Sequence, residues 1–516
     1  MQNSNLKKLP IGISTFSEII EKDYIYIDKT KEALDIISNH KYAFLSRPRR
    51  FGKSLFLDTL YEIFEGNKKL FKGLYIEDKW GFEDKYPVIR ISFSGDLRSR
   101  SSLESRIFDI LKRNQEHLDI LCQKTKKFDS CFEELIIKSY EKYQKQVIIL
   151  IDEYDKPILD NLDQMQVAHA NREVLKSLYG VMKESDRYIK FVFLTGVSKF
   201  SKASIFSGLN NLRDISLLPQ FGTICGYTQN DIESSFIPYL KEVDLNRVKE
   251  WYNGYNFLSK KVYNPFDILL FIDSNFIFDN YWFNTGTPSF LIKLFKENNY
   301  NLAELENYMV ESNVLDSFDI DNISFETVMF QSGYLTIREV EYLGNDIFYH
   351  LTFPNIEVKK SFNDYILTNY FVNRTKKSRI QYDLYSLMAK GDLDSLEKVI
   401  KSLFASIAYN NFTNNYIENY EGFYASVIYA YFAGSGFDKV IAENATSEGR
   451  IDLSVFIDDK VFIFEFKVDS TGALEQIKKK NYHQKYMSDY NEIYLIGVEF
   501  DSRKRSLAGF SWERIV

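Results

Sequence analysis

Cysteine is scarce: Cys122, Cys131 and Cys225 are the only three in 516 residues. They form no Cys-x-x-Cys and no metal spacing, so reduced core thiols in a cytosolic protein are expected. The five histidines are scattered, which argues against a zinc site. With 9 prolines and 23 glycines, the chain shows no low-complexity linker, and no internal repeat is evident. No apolar run approaches the roughly 18 residues of a membrane span. The start, Met1-Gln-Asn-Ser-Asn-Leu-Lys-Lys8, has no apolar stretch after its lysines and does not read as a secretory signal. Positive charge is not in excess: 65 Lys and Arg face 72 Asp and Glu, for a net charge of −7. That balance argues against a protein coated in nucleic acid but leaves room for a local basic groove. The expectation is a cytoplasmic protein without membrane contact. The 43 Phe and 36 Tyr fit a compositional bias and carry little functional weight.

A length of 516 residues predicts two to four domains. The stretch that organises the chain is Arg47-Pro-Arg-Arg-Phe-Gly-Lys-Ser54. A short apolar strand, Tyr42 to Leu45, precedes it, and a helical pattern from Leu55 to Phe64 follows. Strand, tight loop and helix N-terminus together aim backbone N–H groups at an anion. Lys53 would reach the β- and γ-phosphates of ATP and Ser54 would hold Mg²⁺. Arg49, Arg50 and Gly52 share the loop and join the nucleotide-binding candidates. Arg47 stands where the usual pattern has its first glycine, and Pro48 removes one donor.

The partner is Val147-Ile-Ile-Leu-Ile-Asp152-Glu153, five aliphatics closed by two acids. Such a run suits a central parallel strand buried on both faces. Acids at its C-terminal end lie where α/β sheets bind ligands. Asp152 would hold Mg²⁺ through water, and Glu153 would polarise the attacking water. The strand-like run Phe191 to Ser198 ends in hydroxyls, with Thr195 and Ser198 as candidate γ-phosphate sensors. Arg213 would reach a phosphate in cis or in a neighbouring subunit, so a homo-oligomer stays open; a plain surface arginine is the simpler reading. Tyr24 to Thr30 alternates and reads as a short strand, Lys31 to Ser38 as a helix, and Tyr86 to Phe93 as a further strand.

Strand and helix signals alternate from about residue 40 to 235, predicting a parallel α/β sheet with helices on both faces. Residues 228 to 315 read as helical, with an N-cap at Thr228. A helix stopping at Gly333 is followed by two extended pieces, a winged-helix-like ending. It has no dense Lys/Arg stripe, so packing is favoured over DNA binding. Helices fill 366 to 408.

A second constellation spans Gly449-Arg-Ile-Asp452 to Glu465-Phe-Lys467, a hairpin turning at Asp458-Asp459-Lys460. Val461, Ile463, Glu465 and Lys467 share one strand face. A carboxylate and a lysine in an apolar strand are costly unless paired or bound to something. Asp452 can meet Glu465 across the hairpin, giving hard oxygen ligands for Mg²⁺, with Mn²⁺ as an alternative. Lys467 would orient or help deprotonate the attacking water. The bland alternative is a structural ion-pair cluster. Glu421, Glu418 and Glu443 are candidate further acids, with Glu421 preferred as a metal ligand. Gln476, Lys480 and Tyr482, on the helix that follows, are candidates for holding a phosphodiester.

Taken together, these stretches resemble the bacterial AAA-ATPase-like family in which a degenerate P-loop is fused to a C-terminal PD-(D/E)XK nuclease-superfamily domain. The similarity runs through Leu9-Pro-Ile-Gly-Ile13, Tyr26-Ile-Asp-Lys-Thr30, the P-loop, Leu150 to Pro157, Phe206 to Leu212, Trp251 to Tyr255, Tyr263-Asn-Pro265, Phe330 to Tyr334, Gly449 to Lys467 and Gln476-Ile-Lys478. It covers nearly the whole chain. It implies ATP binding, a nuclease fold, and catalytic roles carried by motif onto Asp452, Glu465 and Lys467. Arg47 resembles the family's own form. Ile451 departs from the proline of the superfamily name, and Ala425 stands where a histidine is expected.

The expected architecture is α/β: an ATPase core over 1–235, a helical lid over 236–318, a winged-helix-like region over 319–370, a helical connector over 371–408 and a restriction-endonuclease-like domain over 409–516. The expected function is an ATP-binding, ATP-hydrolysing protein whose C-terminal domain is a Mg²⁺-dependent nuclease under ATP control. DNA is favoured over RNA as the partner. The alternative is a nucleotide-switched interaction protein whose nuclease-fold domain binds without cutting.

Overall fold

The computed structural model describes residues 6–515 except 94, 96, 201–204, 206–208, 210, 284–290, 292–293, 295–301, 303, 316–319, 371–373, 406–420, 438 and 447–448. The chain divides into two compact units, residues 1–290 with 310–349, and 291–309 with 350–516.

In the first unit the helices α1 (Phe16–Glu21) and α2 (Thr30–Asn39) precede β1 (Tyr42–Ser46) and α3 (Lys53–Phe64). Then follow β2 (Val88–Ser92), α4 (Arg100–His117), α5 (Phe128–Tyr143), β3 (Val147–Asp152), α6 (Lys156–Leu159), α7 (Met165–Glu184), β4 (Ile189–Gly196) and β5 (Arg213–Asp214). The five strands form one parallel sheet in the order β2-β3-β4-β1-β5. All six residues of β3 are buried, as an aliphatic run covered on both faces requires. Because β4 lies between β1 and β3, the ends of these three strands open on one edge of the sheet. The expected strand at Tyr24 is only a single bridge to Lys8. Asp28 turns the chain there instead, accepting from the Thr30 N–H at 2.8 Å.

Further on in this unit, Ser324 caps the helix Phe325–Ser332, and Gly333 ends it with a left-handed φ of 93°. The strand Thr336–Leu343 opens the expected hairpin, and the return strand Asp346–Thr352 continues past residue 349, where this unit ends.

The second unit carries a five-stranded mixed sheet. Lys439–Thr446, Gly449–Ile457 and Lys460–Val468 pair antiparallel in turn. Glu492–Asp501 runs parallel to Lys460–Val468, and Ser506–Arg514 closes the sheet antiparallel. The helix Ala473–Lys479 makes the crossover between the parallel pair. Ile451, Val461, Ile463, Ile477 and Leu495 belong to the core that helix and sheet share.

Candidate functional site

In the first unit, Gly52 takes a φ of 93° and starts α3 at Lys53. A residue with a Cβ would be strained there. The loop borders a cavity of about 550 Å³. Arg49, Arg50, Gly52, Lys53 and Ser54 line one side of it, and Glu153, Asp155 and Lys156 another. Pro10, Ile13, Tyr227 and Phe266 give it an apolar wall. A second cavity of about 300 Å³ also meets Ser54 and Glu153, and adds Asp58, Arg90, Ser92 and Asp152.

Lys53 is buried, and its Nζ donates to Arg47 O at 2.8 Å and Pro48 O at 2.9 Å. Burial lowers its pKa, against the pull of Asp152, Asp155 and Glu153. Asp152 ends β3, and its Oδ1 accepts from Thr195 Oγ1 at 2.6 Å and from the Glu153 N–H at 3.1 Å. Thr195 is fully buried, so its hydroxyl meets Asp152 and not the cavity wall. Ser198 donates its N–H to Asp155 at 2.6 Å. Glu153 adopts a left-handed φ of 53°, which costs a residue with a Cβ about 1–2 kcal/mol and turns the chain out of the strand. Burial raises its carboxyl pKa, with Lys156 opposing. Arg213 is exposed on β5, and the turn before it lies partly outside the described residues.

The second unit gathers the other candidates. Leu453 pairs with Phe464, so Asp452 and Glu465 stand next to each other on adjoining strands, one residue further from the turn. Asp452 Oδ2 accepts the Phe466 N–H at 2.7 Å. Glu465 is only 1% exposed. Its Oε1 accepts from Lys467 Nζ at 3.4 Å and from Gln476 Nε2. An ammonium and an amide thus meet one oxygen of this buried carboxylate, the kind of partner that offsets the cost of burying it. Among the described residues no group of three or more His, Cys, Asp or Glu is arranged so that it could hold a metal ion. Asp452 and Glu465 bring two carboxylates together on adjoining strands.

Two family models match this chain. One, for a predicted AAA-ATPase, spans residues 10–206. The other, for the PD-(D/E)XK nuclease superfamily, spans 419–509. A relative described as an uncharacterized protein in the vnfD 5' region of Azotobacter chroococcum mcd 1 is 45% identical over 515 residues, covering 99% of each chain. The chain belongs to the AAA-ATPase-like family with a C-terminal PD-(D/E)XK nuclease-superfamily domain.

In the nuclease-superfamily domain the remaining candidates fall in different places. Glu421 starts the helix Glu421–Ala433, but its side chain, like Glu418, lies outside the described residues. Glu443 pairs with Arg450 at 2.9 Å rather than turning to the acids. Lys480 caps the C-terminus of the crossover helix. Tyr482 is 3% exposed and packs in the core. Burial, then the charges of Glu465 and Asp452, raise its hydroxyl pKa, so only that hydroxyl bears on the acids.

Several structural contributors went unread in the sequence. Asp58 accepts the Phe16 N–H at 2.7 Å and pairs with Arg90 at 2.8 Å, tying the start of α1 to α3. In the nuclease-superfamily domain, Gly497 stands opposite Glu465. A Cβ there would lie 2.4 Å from Leu474 N, so only glycine lets the crossover helix close in and bring Gln476 to Glu465. Spacing from Asp58 to its partners carries no local signal. A glycine inside a strand is itself a sign of close backbone approach.

Proposed function

We propose that the protein binds and hydrolyses ATP in its N-terminal domain, and that this controls hydrolysis of nucleic-acid phosphodiester bonds, DNA before RNA, in its C-terminal domain. Lys53, Arg49 and Arg50 bind the phosphates, and the wall of Pro10, Ile13, Tyr227 and Phe266 takes the base. Ser54 and Asp152 would hold Mg²⁺, with Thr195 orienting Asp152. Glu153 receives the proton of the attacking water.

In the nuclease-like domain Asp452 and Glu465 would hold the divalent ion, which when bound polarises the phosphodiester and acidifies water. Lys467 orients the attacking water and balances charge as it builds on phosphorus. Gln476 fixes the Glu465 carboxylate. Lys480 and the Tyr482 hydroxyl face the backbone of the nucleic acid. The observation that carries this reading is Glu465, an almost fully buried carboxylate held by Lys467 and Gln476 beside Asp452.

The test is cleavage of single- and double-stranded DNA and RNA with Mg²⁺ or Mn²⁺, beside Glu465→Gln. The wild type is expected to cut only with metal, and the variant to lose at least about 100-fold in rate. Metal-dependent cutting that survives the substitution undiminished would overturn the assignment.

A further inference from the structure

Three consecutive residues of the phosphate loop are held from outside it. The Arg47 side chain leaves the loop for the interior, and the residue is 1% exposed. Its Nη1 donates to Ser46 O and Ser216 O, both at 2.8 Å, and its Nη2 donates to Phe221 O at 2.9 Å. The guanidinium carbon stands 3.9 Å from the centre of the Phe257 ring. Charge-assisted bonds to carbonyls and an aromatic face make this a firm anchor. Lysine could not reproduce the planar fork.

Pro48 comes next. A Cβ on Gly333 would fall 2.7 Å from Pro48 Cβ and 2.8 Å from its Cγ. The end of the helix Phe325–Ser332 therefore closes directly onto the proline ring. Arg49 is third, its carbonyl accepting Trp282 Nε1 at 3.2 Å. The Trp282 ring lies 5.2 Å from that of Tyr334, the residue after Gly333. Gln331, on the same helix end, accepts the Lys199 N–H at 3.0 Å, just beyond β4.

Lys53 makes this grip responsive to the contents of the loop. Its ammonium is held by the carbonyls of Arg47 and Pro48. A phosphate oxygen is a stronger acceptor for it than a neutral carbonyl. A phosphate that drew Nζ away would free the Arg47 and Pro48 carbonyls, which flank the proline ring against Gly333 and precede the Arg49 carbonyl held by Trp282.

We propose that Arg47 is a positioning residue that anchors the loop, so that the movement of Lys53 passes through Pro48 and Arg49 to the helix Phe325–Ser332 and the strand Thr336–Leu343. The inference rests on the reading of this cavity as a nucleotide site.

The test is backbone hydrogen exchange over residues 325–343 of the full chain, with and without Mg²⁺-ATP, and ATP affinity measured separately by calorimetry. In the wild type ATP is expected to change exchange there by about fivefold or more. Arg47→Lys and Trp282→Phe are expected to keep the ATP Kd within about tenfold and to shrink that change below about twofold. A purely structural role would leave the ATP-induced difference intact. ATP binding to the wild type with no change over 325–343, or a full response in both variants, overturns the proposal alone. Absence of ATP binding by the wild type overturns the nucleotide reading and this inference with it. Should Arg47→Lys not fold, the wild type and Trp282→Phe still decide.

Discussion

Asp152 and Asp155 are set by their neighbours in different ways. Asp152 receives the Thr195 hydroxyl at 2.6 Å, a bond that fixes which way the carboxylate faces. Thr195→Val keeps the shape and removes the donor. On the proposed reading of Asp152 as a Mg²⁺ ligand, ATP turnover is expected to fall by about tenfold with a near-unchanged ATP Kd, because groups that orient such a carboxylate act at that scale. Steady-state kinetics beside calorimetry separate the two. Asp155 is a buried acid, pushed up to about 6 from 3.8 by burial, against the N–H groups of Ser198 and Val197 and the charge of Lys53. The unfolded chain releases this proton at lower pH than the folded one. Folding is thus opposed by the group as pH rises from about 4 to about 6, by about 3 kcal/mol once fully ionised. Asp155→Asn retains an acceptor without the charge. Its stability relative to the wild type is expected to rise over that interval and then level off. Urea unfolding of both proteins across the range checks this, and a constant difference would contradict it.

At the scale of elements, the crossover helix Ala473–Lys479 reaches Glu465 because residue 497 has no side chain. Gly497→Ala pushes against Leu474, an overpacking expected to cost about 1–3 kcal/mol. It should also draw Gln476 from Glu465 and reduce cleavage more than nucleic-acid binding. Thermal melts, cleavage and binding, measured together, test the pair of effects. The strand-loop-helix around Gly52-Lys53-Ser54, the aliphatic β3 and the hairpin turning at Asp458 were legible because each is written in a few consecutive residues. Arg47 was legible only as a missing glycine. Its real partners, Ser216, Phe221 and Phe257, lie some 170 to 210 residues away in the chain. The strand read at Tyr24 failed for a local reason, since the Asp28 side chain offers the backbone a competing turn.

At the scale of the molecule, one chain carries an ATPase-like and a nuclease-superfamily domain. No described helix is long and apolar enough to cross a membrane. The sequence pattern placed Asp452, Glu465 and Lys467 together because hairpin register follows from strand alternation. The contribution of Asp58 depends on packing between distant elements, which no local pattern encodes, whereas Gly497, a glycine inside a strand, carries a local sign of close approach but not its partner. Control of one site by another is a coupling free energy, and it shows as a change in one activity when the other site is filled. The most direct measurement is therefore the rate of nucleic-acid cleavage with Mg²⁺, with and without ATP, by the wild type and by Lys53→Ala. ATP is expected to change the wild-type rate by at least about fivefold and to leave the Lys53→Ala rate unmoved. A wild type that cuts at the same rate with and without ATP, or cuts no substrate at all, would contradict the account.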